Sequence, residues 1–242
     1  MGKNTQNQQT LFLNKADIDS VFDAQVNNRW NIAQTSAAER IAKLRKLENW
    51  IINNKQTVRD AIHKDFRKPG VDVDLTEIFT SLSEIRHTIK HLKKWVKPHR
   101  VKRTMTLITT RSWIQYEPRG VVLIIAPWNY PFNLLVTPLI SAIAAGNCAI
   151  LKPSELAKNT SNLISKMIGE LFPENEITVV EGEKDVAVDL LKKPFDHIFF
   201  TGSTAVAKSI MAAAAKNLSS IKLEPASSSN DSRSRGNSLP LL

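Results

Sequence analysis

Cysteine is almost missing from this chain. Cys148 stands alone among 242 residues, so no internal disulfide can form, and such usage fits a reducing, cytoplasmic setting. Long apolar runs are missing too. The least polar stretch, Leu134 to Gly146, is interrupted by Pro138 and is too short for a transmembrane helix. The opening MGKNTQNQQT holds no apolar segment of a signal peptide, and Gln6 breaks the myristoylation pattern that Gly2 begins. Acidic residues are scarce between Arg86 and Arg119, where ten Lys or Arg face Glu117 alone, with Trp95, Trp113 and Tyr116 interleaved. That run reads as a nucleic-acid surface or as a solvated helix face leading into a polar connector. No zinc-finger, RNA-recognition or helix-turn-helix signature accompanies it, which favours the second and no nucleic-acid partner.

What is present is enough for a packed core: 42% apolar and 23% charged residues. Residues 1–12 read as a flexible tail. From Ala37, Ile41, Leu44, Leu47, Ile51, Val58 and Ile62 recur at helical spacing. Lys68-Pro69-Gly70 marks a turn. A second helix follows on Leu75, Ile78, Phe79, Leu82, Ile85, Ile89, Leu92 and Trp95, and Pro98 ends it. Thr104 to Tyr116, rich in Thr, Ile and Trp, reads as one or two extended strands. These elements form an N-terminal helical region with connecting strands over 13–116.

After Pro118 the rhythm changes. Val121–Ala126, Cys148–Leu151, Ile177–Val180, Ile198–Phe200 and Ile221–Leu223 read as short strands buried on both faces. Between them lie helical patterns after Pro131, around Leu163 to Leu171, over Val186–Leu191 and over Ser203–Leu218. Strand and helix in alternation predict an α/β fold, a doubly wound parallel sheet spanning 117–224. Its ligands are expected beyond the carboxyl ends of the strands. From Pro225 the periodicity stops, and 225–242, with six Ser and two Arg, reads as a disordered tail.

Three strand-to-helix joints carry candidate chemistry. At Gly202-Ser203-Thr204 the glycine permits a tight turn, and a hydroxyl can cap the next helix. The same helix N-terminus can seat a phosphate. Capping alone explains this joint taken by itself, and the full GxGxxG fingerprint is absent. Lys152-Pro153-Ser154-Glu155 places a cation and a carboxylate at the sheet edge, to hold sugar hydroxyls or only to pair with each other. Pro127-Trp128-Asn129-Tyr130-Pro131 fixes an asparagine amide between two prolines. That amide could stabilise an oxyanion, or the loop could be a turn with an aromatic plug. All three joints fall at one edge of one expected sheet, and that convergence outweighs each alone. His87 and His91 lie one helical turn apart near Glu84. Without a third clear ligand they read as a solvated face, and no metal is expected. Cys148, inside an apolar strand, reads as a structural thiol.

Two segments then make the sequence recognisable: EPRGVVLIIAPWNYPFNLLVTPLISAIAAGNCAILKPSE and FDHIFFTGSTAVAKSIMAAAAKNLSSIKLE. Together they resemble the N-terminal half of an NAD(P)-dependent aldehyde dehydrogenase, most similar to the class 3 branch with its fatty and aromatic aldehyde dehydrogenases. The likeness runs from about Ala16 to Glu224. It implies a Rossmann-like sheet, NAD or NADP as cofactor and a small-molecule aldehyde as substrate. It also implies a homo-oligomeric full-length protein. By the same likeness Asn129 is the oxyanion-hole asparagine and Glu224 the general base that activates water. Trp128, Lys152, Glu155, Gly202, Ser203 and Val206 then belong to the cofactor site, with Lys152 and Glu155 on the adenosine ribose and Ser203 near the pyrophosphate. The chemistry implied is thiolate attack on an aldehyde, hydride transfer and hydrolysis of the thioester. Two positions depart from the family pattern. Ala207 stands where the family usually has Gly. After Leu223-Glu224 the family continues Leu-Gly-Gly-Lys, whereas this chain reads Pro-Ala-Ser-Ser-Ser. The sequence therefore reads as a truncated member without the catalytic-cysteine domain, inactive alone. The alternative is a non-catalytic dinucleotide-binding fragment or a dominant-negative partner of full-length subunits.

Overall fold

The computed structural model describes residues 15–225 except 103, 104 and 108. The tail expected over 1–12 lies outside the described residues, as does all but Pro225 of the one expected over 225–242. Helices α1 (Lys15–Ala33), α2 (Ala37–Asn53), α3 (Lys55–Phe66) and α4 (Gly70–Val73) come first. A π turn (Asp74–Ile78) then runs into α5 (Phe79–Trp95). Strands β1 (His99–Arg100) and β2 (Trp113–Ile114) pair antiparallel in a two-stranded ribbon. The remainder alternates: β3 (Val121–Ile125), α6 (Asn133–Ala145), β4 (Cys148–Lys152), α7 (Lys158–Leu171), β5 (Ile177–Val179), α8 (Lys184–Leu190), β6 (His197–Gly202), α9 (Thr204–Asn217) and β7 (Ser220–Pro225).

The main sheet has the order β5-β4-β3-β6-β7, all parallel. From β3 the chain winds outward through β4 to β5. It then returns to the other side of β3 for β6 and β7. Right-handed crossovers require the connecting helices to change face when that direction reverses, and they do. Helices α6 and α7 cover one face with α2, α3 and α5, and α9 covers the other with α1 and the α8 region. Successive strand residues feed opposite cores. Val122 and Ile124 of β3 and Ala149 and Leu151 of β4 face the first. Val121, Leu123, Cys148 and Ile150 face the second. Continuous apolar strands, rather than alternating ones, follow from this two-sided burial. Each buried Val, Leu or Ile contributes roughly 1.5–3 kcal/mol.

The structure corrects several expectations. The helix expected from Ala37 through Ile62 is two helices, broken at Asn54, which closes α2 and opens α3. Helix α1 precedes it, where no periodic stripe marked one. Its inward positions Ile18, Val21 and Phe22 are interrupted by the buried Gln25, which donates to the Ala149 and Glu174 carbonyls at 3.1 and 3.2 Å. The face expected for the second helix is also wrong near its start. Leu75 and Phe79 are 61% and 63% exposed, while Glu77, Ser81 and Thr88 are buried. The π turn adds one residue to the helical path and shifts its phase by about 100°, which turns Glu77 inward. Among the described residues of 104–116, only Trp113–Ile114 is extended within a ladder, and Met105–Leu107 forms a 3-10 turn. Pro138 sits inside α6. It costs that helix one backbone donor and leaves the preceding turn intact.

Candidate functional site

Because the five strands are parallel and in close register, their carboxyl ends form one edge. Lys152 and Phe200 both oppose Ile125, Thr201 opposes Glu224, and Gly202 opposes Pro225. The expected site residues are thus gathered at this edge from four strands. The edge also carries the point where the winding reverses, between β3 and β6, which is where open α/β sheets bind ligands.

The β6–α9 joint has little room. A Cβ on Gly202 would come within 2.4 Å of the Phe200 ring, so only glycine lets the chain pass over that ring. Ser203 caps α9, its Oγ accepting from the Val206 N–H at a long 3.4 Å. The N–H groups of Thr204 and Ala205 have no partner within the helix, and residues 203–206 are exposed. The Thr201 Oγ1 beside them is buried and meets no partner among the described residues. An N-terminus with open donors and a positive dipole end matches an anionic group. Ala207 is buried in the second core, and its N–H closes on the Ser203 carbonyl. The methyl that departs from the family pattern therefore packs inward.

On the other side of β3, Lys152 ends β4. Its side chain is 3% exposed, and Nζ donates to the Pro153 carbonyl at 2.8 Å and lies 3.8 Å from a Glu155 oxygen. Burial pulls the ammonium below its ordinary pKa, while Glu155 and Glu181 push it back up. A cleft of about 430 Å³ opens beyond the end of β4, with Pro153, Glu155, Lys158, Ser161, Glu181 and Gly182 in its wall. The size suits part of a nucleotide.

The third joint is pinned from outside the sheet. Asn129 is exposed, and its Oδ1 accepts from the Tyr130 N–H at 3.1 Å. Its amide NH2 therefore stays open to a ligand. Trp128 leans on the Phe66 ring at 5.9 Å, and Lys68 Nζ sits 4.2 Å over the Tyr130 ring. Glu77, fully buried, then accepts from the Phe132 and Asn133 N–H groups at 3.2 and 2.9 Å and from Lys68 Nζ at 3.2 Å. Burial raises the Glu77 pKa, with the Asn133 N–H and Lys68 acting against the rise. Glu224, at the end of the edge strand β7, is half-exposed and 3.9 Å from Lys222.

The other candidates behave differently. The His87 and His91 rings lie tilted with centroids 4.4 Å apart, His91 stacks on Trp95 at 5.7 Å, and the His91 Nδ1 is bonded to the His87 carbonyl at 2.8 Å. Among the described residues no group of three or more His, Cys, Asp or Glu could hold a metal. Cys148 is buried, and burial followed by the nearby Glu176 pushes its thiol up to about 12. That thiol is no nucleophile at neutral pH. Among the described residues no helix is long and apolar enough to cross a membrane.

Sequence reasoning missed Glu77, Lys68, Asp65, Glu181 and Thr201. Three lie on helices or loops remote in sequence from the joints they serve. Glu181 alone left a trace, as a carboxylate just beyond a buried strand and before a glycine, like Glu155 beyond β4.

Comparison with known proteins decides the family. The sequence model of the aldehyde dehydrogenase family matches residues 4–230. The chain belongs to the aldehyde dehydrogenase family. Among its relatives, aldehyde dehydrogenase family 3 member B2 of Mus musculus is 41% identical over 196 residues, covering 81% of this chain and 41% of the mouse protein. The 4,4'-diaponeurosporen-aldehyde dehydrogenase of Staphylococcus aureus is 44% identical over 185 residues, covering 76% of this chain and 40% of that one. The solved substrate-bound state of Staphylococcus aureus AldH superposes with a TM-score of 0.83 at 41% identity, over 86% of this chain and 45% of that structure. Bifunctional proline utilization A, 20% identical with a TM-score of 0.81, shares the fold alone. The chain spans between 40% and 47% of the length of the curated relatives it matches. The family likeness and the incomplete Rossmann-like sheet thus agree with the motifs at the three joints.

Proposed function

We propose that this chain is the cofactor-binding part of an NAD(P)-dependent aldehyde dehydrogenase of the class 3 type, whose whole protein oxidises an aldehyde to a carboxylic acid. The observation that carries this is the open α9 N-terminus, at the same sheet edge as the Lys152–Glu155 cleft. The residues fit a dinucleotide. Exposed N–H donors await the pyrophosphate, Gly202 keeps the approach clear of a side chain, and the cleft supplies a cation and a carboxylate for ribose hydroxyls. Val206 and Trp128 are exposed at this edge and offer it apolar contact.

A bound dinucleotide supplies the hydride acceptor. The chain's own residues do the rest of what it contributes. The Asn129 amide donates to the aldehyde oxygen as negative charge builds there. The Glu224 carboxylate takes a proton from the attacking water. Cys148, buried and protonated, contributes no thiolate, and it is the chain's one cysteine. Nucleotide binding without turnover is therefore the behaviour proposed for the chain by itself, including a role as a pairing partner for full-length subunits. The lone reduced cysteine also underlies a proposed cytoplasmic location.

Isothermal titration with NAD and NADP tests the reading, together with an assay for NADH formation from an aldehyde. Binding of a dinucleotide with no NADH formed is the expected pair of results. Absence of heat with both cofactors overturns the binding role. NADH formation lost in Glu224→Gln overturns the absence of turnover.

A further inference from the structure

We propose that Glu181, acting with Glu155, makes the cleft beyond β4 and β5 select a dinucleotide with a free 2′-hydroxyl, NAD, over one with a 2′-phosphate, NADP. The proposal rests on the reading that this cleft holds the adenosine half of the cofactor. It adds a residue and a preference that neither the KPSE motif nor the family likeness supplies. Glu155 by itself leaves the choice open, because its side chain is 44% exposed and can swing away from an incoming phosphate.

Glu181 is differently placed. It follows the last residue of the third strand's apolar run, half-buried in the wall of the cleft. Ser165 of α7 is close enough to hold its pKa down against burial. The turn beyond it requires glycine, since Gly182 has φ +146° and a Cβ there would meet Val186 at 2.5 Å. Glu181, half-buried in the wall, has less room to retreat than the more exposed Glu155.

The charges around the cleft then decide. Glu155, Glu181 and Glu183 line it, and Lys158 is the one cation among the described residues of its wall. The buried Lys152 lies behind that wall, 3.8 Å from a Glu155 oxygen. Lys152 already answers to two carboxylates, Glu155 and Glu181. A 2′-phosphate brings up to two further negative charges at neutral pH. It would have to compete with Glu181 for Lys152, and would meet three carboxylates in a site partly closed to water. Like charges so placed are strongly disfavoured. A 2′-hydroxyl brings no charge and donates to a carboxylate instead. Burial raises the Glu181 pKa, with Ser165 and Lys152 opposing the rise.

The test is calorimetric titration of the chain with NAD and NADP, and with AMP and 2′-AMP to isolate the adenosine half. Wild type, Glu181→Gln and Glu181→Asp are compared, and circular dichroism confirms each fold. NAD should bind on the order of 100-fold more tightly than NADP, given the several kcal/mol typical of like-charge juxtaposition. Glu181→Gln should tighten NADP relative to NAD, and 2′-AMP relative to AMP, by about tenfold, the scale of one removed charge. Glu181→Asp, which keeps the charge, should retain the preference. Equal wild-type affinity for NAD and NADP overturns the proposal and leaves the dinucleotide reading standing. So does a Glu181→Gln variant that shifts both cofactors alike. Failure of every nucleotide to bind overturns the dinucleotide reading and this proposal with it.

Discussion

Helices α6 and α7 begin at the same sheet edge as α9, yet their N-termini are closed and that of α9 is open. Neither α6 nor α7 has a side-chain cap of its own. Each is capped by a carboxylate from elsewhere in the chain. Glu77 takes the Phe132 and Asn133 N–H groups of α6. Asp65 of α3 takes the Asn159 and Thr160 N–H groups of α7, with the Asn159 amide and Thr160 hydroxyl as well, at 2.7–2.9 Å. Helix α9 has the long Ser203 contact, and among the described residues no carboxylate is bonded to its N-terminus. The same electrostatic demand is met by a carboxylate at two helices and left open at the third. Closure serves the loops beside it: the Glu77 cap holds the loop carrying Asn129 and Trp128, and the Asp65 cap holds the one that follows Glu155.

Breaking the better closed end should cost most. Glu77→Ala removes a fully buried acceptor from two backbone donors and from Lys68. Unfolding free energy should fall by about 3 kcal/mol, read from urea denaturation. A change within 0.5 kcal/mol would show that α6 does not depend on this cap.

The amino edge of the sheet sharpens the contrast, because its polar groups are paired internally. His197 Nδ1 bonds the Ser220 Oγ at 2.8 Å, and Arg119 bonds the same oxygen at 2.8 Å. Burial, then the charge of Arg119, push the His197 pKa down to about 4. The unfolded chain therefore takes up this proton near pH 6.5 and the folded chain only near pH 4, so stability falls as pH drops through that interval. The loss should reach roughly 2–3 kcal/mol. Glu77 and Glu181, with raised values, work the other way over part of the window. The comparison is therefore wild type against His197→Asn, whose denaturation midpoint should fall less steeply between pH 6.5 and 4. Parallel slopes would contradict the assignment.

Asp65→Ala should be milder, about 1–2 kcal/mol, the usual worth of an N-cap, since Asp65 is nearer solvent. Thermal melting compared with Glu77→Ala ranks the two caps, and the reverse order would count against the burial argument. The smallest stability effect should come from closing the open end. Ser203→Asp keeps a good capping residue and places a charge on the α9 dipole, as Glu77 and Asp65 do for their helices. It should stabilise the chain by about 0.5 kcal/mol and exclude an anionic ligand.

Much of this edge was legible in the sequence. Apolar strands alternating with helical patterns gave the doubly wound sheet, and Gly202-Ser203, Lys152–Glu155 and Asn129 all lie at strand ends as their motifs imply. What was not legible depends on contacts between distant segments. Periodicity counts Glu77 as a surface residue, because only the π turn at 74–78 rotates it inward. Helix α1 escaped because Gln25, buried for its bonds to two carbonyls, breaks the apolar stripe. Asp65 serves a helix 94 residues away, a pairing with no local signature. The chain break at Asn54 was hidden by two helices with compatible apolar faces.

The central claim is that the open α9 N-terminus is a dinucleotide seat, and NAD titrated calorimetrically into wild type and Ser203→Asp tests it most directly. Heat of binding in wild type that disappears in Ser203→Asp, with the melting temperature of the variant held or raised, is the result expected. Equal binding by both proteins, or by neither, would contradict it.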